Sequence, residues 1–172
     1  MRFLKLILLL CYCILHIRPS EAVGKFFDLA EVKNWRIIAE IEEEKKICHA
    51  IMTPYRDKLL YGNINNPKFI VSYKGHLAYS ISFSALTRLA HSKSVTLFVN
   101  DSQYTLKVNK HGKNAITYSA DQDVDIINDI ISGPYPFKIR SKGAAGELGF
   151  IYFSSIGLQE AISYMEKNCS KL

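Results

Sequence analysis

The sequence predicts a mainly β protein, an antiparallel β-sandwich with two peripheral helices. About nine short segments rich in β-branched and aromatic residues recur at hairpin spacing, with turn-forming residues between them. Two other segments repeat apolar residues every third or fourth position, as one face of a helix does. Many short strands combined with few helices are typical of packed antiparallel sheets.

The first two predicted strands, residues 34–42 and 47–53, form a hairpin. The run of charged residues 42–46 is a solvated turn between them. Residues 23–33 are predicted to be a lead-in segment, with Phe26, Phe27 and Leu29 available as edge anchors. The single domain is therefore expected to span residues 34–172.

The segment 78–84 alternates almost strictly. Tyr79, Ile81 and Phe83 occupy one face, and three serines occupy the other. Such alternation predicts a sheet that is exposed on one side. The remaining predicted strands are residues 68–73, 94–99, 103–108, 115–118, 136–141 and 148–153.

The first predicted helix covers residues 121–132 and ends at the Gly-Pro pair that follows. Its apolar side is predicted to consist of Val124, Ile127 and Ile131, with Asp121 and Asp123 in the first turn, where carboxylates suit the helix dipole.

The second predicted helix begins at Gly157 and carries Glu160 in its first turn. Its apolar face is predicted to be Leu158, Ala161, Ile162 and Met165.

The N-terminus has the pattern of a signal peptide. Two basic residues precede an uncharged apolar run from Leu6 to Leu15, and Ser20-Glu21-Ala22 fits a small-x-small cleavage site. We predict a signal peptide over residues 1–22 and an exported protein. An uncleaved anchor is the alternative, although a spanning helix needs about 20 apolar residues. The terminal Ser-Lys-Leu matches a peroxisomal signal, but an exported chain would not present it to that receptor.

The charge pattern argues against a nucleic-acid-binding protein. The chain has 22 Lys and Arg against 16 Asp and Glu, for a net charge of +6. Three basic residues and one acidic residue lie in the leader, so the mature chain carries +4. Its basic residues are interleaved with acidic ones, whereas nucleic-acid sites cluster them on one face.

Cys48 and Cys169 are the cysteines that remain after removal of the leader, which takes Cys11 and Cys13 with it. In an oxidising compartment such a pair usually forms a disulfide. The bond would tie the terminal helix to an early strand, with the two α-carbons within about 7 Å. Two buried free thiols are the alternative.

No catalytic residue, cofactor site or metal site is predicted. The sequence has no G-x-S-x-G elbow, and no helix follows its glycine-rich turn directly to receive a phosphate. The four aspartates between residues 121 and 129 lack the spacing of a calcium loop. The histidines outside the leader lie apart, without zinc-ligand spacing: His49, His76, His91 and His111.

Several motifs together resemble the invasion-associated locus B family of alphaproteobacteria, over roughly residues 33–169. They are Asn34-Trp-Arg, Lys46-Ile-Cys-His-Ala, Val95-Thr-Leu-Phe-Val, Tyr104-Thr-Leu, Ile139-Arg-Ser-Lys-Gly and Tyr152-Phe-Ser-Ser-Ile-Gly-Leu-Gln-Glu-Ala, with a final Cys169. The resemblance places the chain in a divergent branch. It implies an exported, immunoglobulin-like β-sandwich in the periplasm or associated with the outer membrane.

Some members of that family are linked to entry into host cells, and the resemblance implies no catalytic residues. The expected function is therefore a non-enzymatic envelope or periplasmic protein that binds a protein or cell-surface partner. The alternative is a periplasmic small-ligand carrier or an enzyme whose site is assembled from residues distant in sequence.

Overall fold

In the part of the chain that the structure describes, ten antiparallel strands form one continuous hydrogen-bonded sheet, accompanied by two helices. The structure is a computed structural model that describes residues 24–42, 45–55, 66–76, 78–85, 89, 94–133, 136–142 and 148–169. The predicted signal peptide, all but the first residue of the predicted turn 142–147, and His91 lie outside these residues. The elements are β1 Lys25–Val32, β2 Trp35–Glu42, β3 Lys45–Met52, β4 Lys68–Tyr73, β5 Tyr79–Ser84, β6 Ser94–Val99, β7 Ser102–Val108, β8 Asn114–Ile116, α1 Ala120–Ser132, β9 Phe137–Lys142, β10 Leu148–Phe153 and α2 Leu158–Cys169.

The sheet folds back on itself. Its strand order is β1-β2-β3-β4-β5-β8-β7-β6-β9-β10, so β4 and β9 lie far apart along it. The rings of Phe69 on β4 and Phe137 on β9 are nevertheless only 4.8 Å apart, and Phe153 on β10 lies 5.9 Å from Phe69. The first half of the sheet (β1–β5) therefore faces the second half (β6–β10). This arrangement confirms the predicted sandwich-like, mainly β fold.

Strand alternation determines which side chains enter the core between the halves. Ile81 and Phe83 of β5 are fully buried, while the serines of β5 are half-buried on the opposite, outer face. Neighbouring strands follow the same rule, because register pairs share a face. Trp35 and Ile37 on β2 and Val71 on β4 also point inward and are fully buried.

The predicted lead-in is part of the sheet, since β1 pairs with β2 from Lys25 to Val32. The sheet thus begins at Lys25 rather than near Asn34. A tight turn at Lys33 and Asn34 reverses the chain, with Lys33 at a φ of 53°. A lysine in this left-handed conformation is uncommon, so a turn at Lys33 is not expected from its residue type.

Helix α1 begins where predicted but turns a different face inward. Ser119 caps its N-terminus by accepting a hydrogen bond from the Gln122 amide at 3.3 Å. The buried face is Asp123, Ile126, Ile127 and Ile130. The predicted apolar side is therefore wrong in two of its three members, since Val124 and Ile131 are 44% and 37% exposed.

Asp123 faces inward because its carboxylate accepts a hydrogen bond from a backbone amide at the edge of β5. Strand β8 pairs with β5 only at residues 82–84, and just beyond it the Thr117 amide donates to the Ile81 carbonyl at 3.4 Å, which leaves the Ile81 amide without a strand partner on this side. The Asp123 carboxylate accepts hydrogen bonds from the Ile81 amide at 2.7 Å and from the Thr117 hydroxyl at 2.6 Å. Burial raises the pKa of Asp123, and both hydrogen bonds oppose that rise.

Helix α2 has the predicted buried face of Leu158, Ala161, Ile162 and Met165. Gly157, immediately before it, has a φ of +91°. A Cβ at this position would lie 2.8 Å from the Lys33 Cβ and 3.1 Å from the Val32 carbonyl oxygen. Only glycine lets the helix start this close to the β1–β2 turn. Lys33 and Glu160 then form an ion pair across the junction.

Replacing Asp123 tests its role as an edge acceptor. Asp123→Ala should lower the free energy of unfolding by about 1–3 kcal/mol, because the Ile81 amide loses its buried partner. Asp123→Asn should cost less, because it keeps an oxygen acceptor and removes a charge that burial disfavours. Urea denaturation measures both.

Asp125→Ala is the matched control, since Asp125 lies on the exposed side of the same helix and should change stability by about 0.5 kcal/mol or less. Equal losses in the Asp123→Ala and Asp125→Ala variants would contradict the edge-acceptor role.

Candidate functional site

Cys48 and Cys169 form a disulfide between β3 and the last turn of α2. Their α-carbons are 6.1 Å apart, and the two residues lie 121 positions apart in sequence. Both cysteines are buried, so the bond belongs to the core rather than to an exposed redox site. Beside it, the Lys46 ammonium donates to the Asn168 carbonyl at 3.0 Å.

Polar contacts hold α2 against the inner side of the first half of the sheet. The Tyr79 hydroxyl on β5 donates to Glu166, and the Tyr164 hydroxyl donates to the Leu29 carbonyl at 3.4 Å. Burial, followed by the nearby Glu166 carboxylate, raises the pKa of Tyr79 far above its usual value. Since α2 covers the inner side, the sheet of the first half offers solvent its outer face.

The outer face of the second half carries aromatic and basic side chains together. The inward residues of β6 and β9 are buried, among them Leu97 and Ile139, so their neighbours point outward. We name this surface the basic–aromatic face, and it consists of Phe98, Lys107, Lys138, Arg140, Phe150 and Tyr152.

Cation–π contacts organise the basic–aromatic face. The Phe98 and Phe150 rings meet edge to face at 6.0 Å. The Lys138 ammonium lies 5.0 Å from the centre of the Phe150 ring and 5.5 Å from that of Phe98. The Arg140 guanidinium lies 5.2 Å from the Phe98 ring centre. Such contacts contribute about 0.5–1 kcal/mol each at exposed sites and restrict the cationic side chains.

The basic–aromatic face is also free of acidic residues. Strands β6, β7, β9 and β10 contain no Asp or Glu. Within the described part of the chain, Lys107, Lys138 and Arg140 form no ion pair. Asp101 lies in the turn between β6 and β7, outside the strands. These basic residues are scattered along the chain, and only the pairing of separate strands places them on one surface.

The outer face of the first half holds a polar chain centred on His49. Its Nδ1 is 2.8 Å from the Ser72 hydroxyl, and its Nε2 is 3.1 Å from a Glu40 carboxylate oxygen. Burial lowers the pKa of His49, the hydrogen bond and charge of Glu40 oppose this, and Lys74 adds to the lowering. His49 was expected to stand alone, but antiparallel register brings Ser72 opposite it and Glu40 diagonally beside it.

This chain of groups has the connectivity of a nucleophilic triad but not its surroundings. Ser72 is only 7% exposed. It lies within β4, between β3 and β5, where the ladders engage the strand backbone on both sides. Nucleophilic catalysis requires free donors beside the nucleophile to stabilise an oxyanion. The polar chain is suited instead to fixing the register of three neighbouring strands.

A shallow cavity of about 400 Å³ opens where β8 separates from β5. Its lining combines apolar surface, including Ile81 and Ile116, with the polar side chains of Lys74, Ser80, Ser82, Asn114, Thr117, Tyr118 and Asp123. Ser80 pairs in register with Ser72, so the cavity adjoins the His49 chain on the same outer face. Hydroxyl groups and one ammonium are suited to a small polar or anionic molecule.

The aspartates of α1 serve separate structural roles. Asp129 accepts a hydrogen bond from the Tyr104 hydroxyl at 2.6 Å, which lowers the pKa of this carboxyl. Asp123 faces β5 instead. Among the residues that the structure describes, no three His, Cys, Asp or Glu side chains come together as metal ligands would. Neither described helix combines the length and hydropathy of a membrane span.

The fold is similar to that of a known protein. The crystal structure of invasion associated protein b from Bartonella henselae aligns with a TM-score of 0.54 and 15% sequence identity. The alignment covers 79% of this chain and 92% of that chain. The two chains share a fold. Neither a family profile nor a curated protein matches the sequence.

Removal of the disulfide should destabilise the protein. Cys169→Ser is expected to lower the free energy of unfolding by about 2–5 kcal/mol, because the bond closes a long loop in the unfolded chain. Denaturant titration measures the loss, and hydrogen exchange should show α2 opening first. Ser163→Ala, on the exposed side of α2, is the control and should have little effect. Free alkylation of both thiols in the native, oxidised protein would contradict the bond.

His49 should titrate below its usual pKa of about 6.5. Because folding lowers the pKa of His49, the unfolded chain binds more protons than the folded protein between the two pKa values. The contribution of neutral His49 to the free energy of unfolding is therefore complete above about pH 6.5 and is lost as the pH falls from there through the folded-state pKa. Glu40→Gln should lower the pKa further, since Glu40 stabilises the imidazolium. Glu31→Gln, on exposed β1, should leave it unchanged. NMR titration of the imidazole measures all three; a higher pKa in Glu40→Gln would refute this.

Proposed function

We propose that this protein is an exported, non-enzymatic binding protein of the cell envelope, a divergent member of the invasion-associated locus B family. The buried Cys48–Cys169 disulfide carries the proposal, because such bonds persist in oxidising compartments such as the periplasm. The leader-like N-terminus and the fold shared with invasion associated protein b support it.

The distribution of side chains supports binding through a broad surface. Each half of the sheet turns a nearly continuous outer face away from the core, and the basic–aromatic face concentrates charge and aromatic area on one of them. Interfaces use such mixed aromatic and arginine-containing patches, whose rings and guanidinium groups provide contact area and orientation. The proposed partner is another protein or the cell surface. The proposal includes association with the outer membrane and contact with a host cell.

A small-ligand carrier or enzyme is the second candidate, and the cavity beside β8 favours it. This cavity brings Lys74 together with hydroxyl groups from β5 and from Thr117. Its volume of about 400 Å³ lies within the range of small-molecule sites. However, the cavity is open to solvent and lacks the enclosure of most such sites. Saturable binding of a small metabolite that is lost in Ser80→Trp would favour this candidate.

The proposal predicts a processed, envelope-located protein. Expression of the full chain in a bacterial host should give a mature N-terminus at Val23, detected by N-terminal sequencing, and recovery in the periplasmic or membrane fraction. Leu8→Arg, in the apolar run of the leader, should block processing and leave the cysteines reduced, because a charge there interrupts the h-region.

Lys5→Arg is the matched control, since it keeps the positive charge before the apolar run and should be processed normally. Recovery of the unaltered chain with Met1 intact in the cytoplasm would overturn both the proposed location and the family role that depends on it.

A further inference from the structure

We propose that the basic–aromatic face binds an acidic polysaccharide, a chain of sugars bearing carboxylate or sulfate groups. This inference rests on the proposed function as a surface-binding protein and names the chemical class of its partner. It follows from four features of the face: unpaired cations, their support by rings, their spacing, and the neutral hydrogen-bonding groups among them.

Like most described lysines, the cations of this face have no carboxylate partner, and they are set apart by their grouping with aromatic rings on strands that carry no acidic residue. Arg36 is paired with Asp28 at 2.6 Å, and Lys33 is paired with Glu160. By contrast, Lys107, Lys138 and Arg140 form no ion pair with any described residue. A surface with one sign of charge and no acidic neighbours in its strands attracts anions.

The rings hold these cations in place before a partner arrives. Lys138 lies over both Phe98 and Phe150, and Arg140 lies over Phe98. Ordering a long flexible side chain during association costs about 0.5–1.5 kcal/mol, and prior ordering removes part of that cost. The same contacts leave less of the Phe98 and Phe150 ring faces available for stacked bases, which single-stranded nucleic acids require.

Spacing and polarity favour a polysaccharide over a bilayer. Lys138 and Arg140 alternate on β9, about 7 Å apart along the strand, while Lys107 lies two strands away, about 10 Å across the sheet. Thr96, Thr105 and Gln103 lie among them on the same face and can bond sugar hydroxyl groups. Phe98 and Phe150 are half-buried, whereas interfacial membrane binding depends on inserted apolar side chains.

Direct binding measurements test the inference. The purified protein is titrated with dextran sulfate and polygalacturonate, with uncharged dextran as the control polymer. Both acidic polymers should bind, more weakly as salt rises, and dextran should not. The double variant Lys138→Ala/Arg140→Ala should lose affinity by about tenfold or more, because each charged hydrogen bond contributes appreciably.

The matched control is Lys110→Ala/Lys113→Ala, which removes two positive charges from the exposed β7–β8 turn. This variant should bind within about twofold of the unaltered protein, since most of its charge effect is screened at physiological salt. Lys138→Arg keeps the charge over the rings and should retain binding. Thermal unfolding of each variant verifies that it is folded before its affinity is compared.

Several results would overturn the inference. Equal losses in the two double variants would attribute binding to net charge rather than to this face. If anionic vesicles or single-stranded DNA bind more tightly than the acidic polymers, the face belongs to another class of partner. If neither acidic polymer binds, the inference is wrong. A processed protein in the envelope fraction would still leave the proposed function standing, so the two failures are distinguishable.

Discussion

Contact between aromatic rings across the fold-back of the sheet is the interaction on which the structure depends. Phe69 from the first half meets Phe137 and Phe153 from the second, and Phe153 also meets Phe83 at 6.3 Å. A buried phenylalanine contributes about 1.5–3 kcal/mol from removal of its surface from water. Without this cluster the ten strands would form an open sheet with one apolar face exposed to solvent.

Folding back has consequences for both outer faces. In each half, the side chains that point inward form the hydrophobic core. The side chains that point outward need not be apolar and can form polar or charged surfaces. In the first half these residues form the His49 chain and part of the lining of the cavity beside β8. In the second half they form the basic–aromatic face. The two outer faces thus differ in chemistry although they belong to one continuous sheet.

The helices contact parts of the sheet that no neighbouring strand pairs with or covers. Helix α1 supplies Asp123 to the Ile81 amide, at the point where β8 ends. Helix α2 covers the inner side of the first half and is held at one end by the Lys33–Glu160 pair and at the other by the disulfide. Gly157 makes the close start of α2 possible. These contacts, which stabilise the fold, involve none of the residues of the basic–aromatic face.

Local patterns by themselves determined the mainly β fold, most strand positions, both helices and the inward face of α2, because alternation and helical periodicity depend only on neighbouring residues. The pairing of Cys48 with Cys169 was also accessible, since the two cysteines outside the predicted leader allow one intramolecular bond. Tertiary structure alone decided that β1 joins the sheet, that Asp123 turns inward, and that His49 meets Glu40 and Ser72. It also gathered Lys107, Lys138 and Arg140 onto one surface. These features depend on strand register and order, which bring together residues that are distant in the chain and leave no local periodicity to detect.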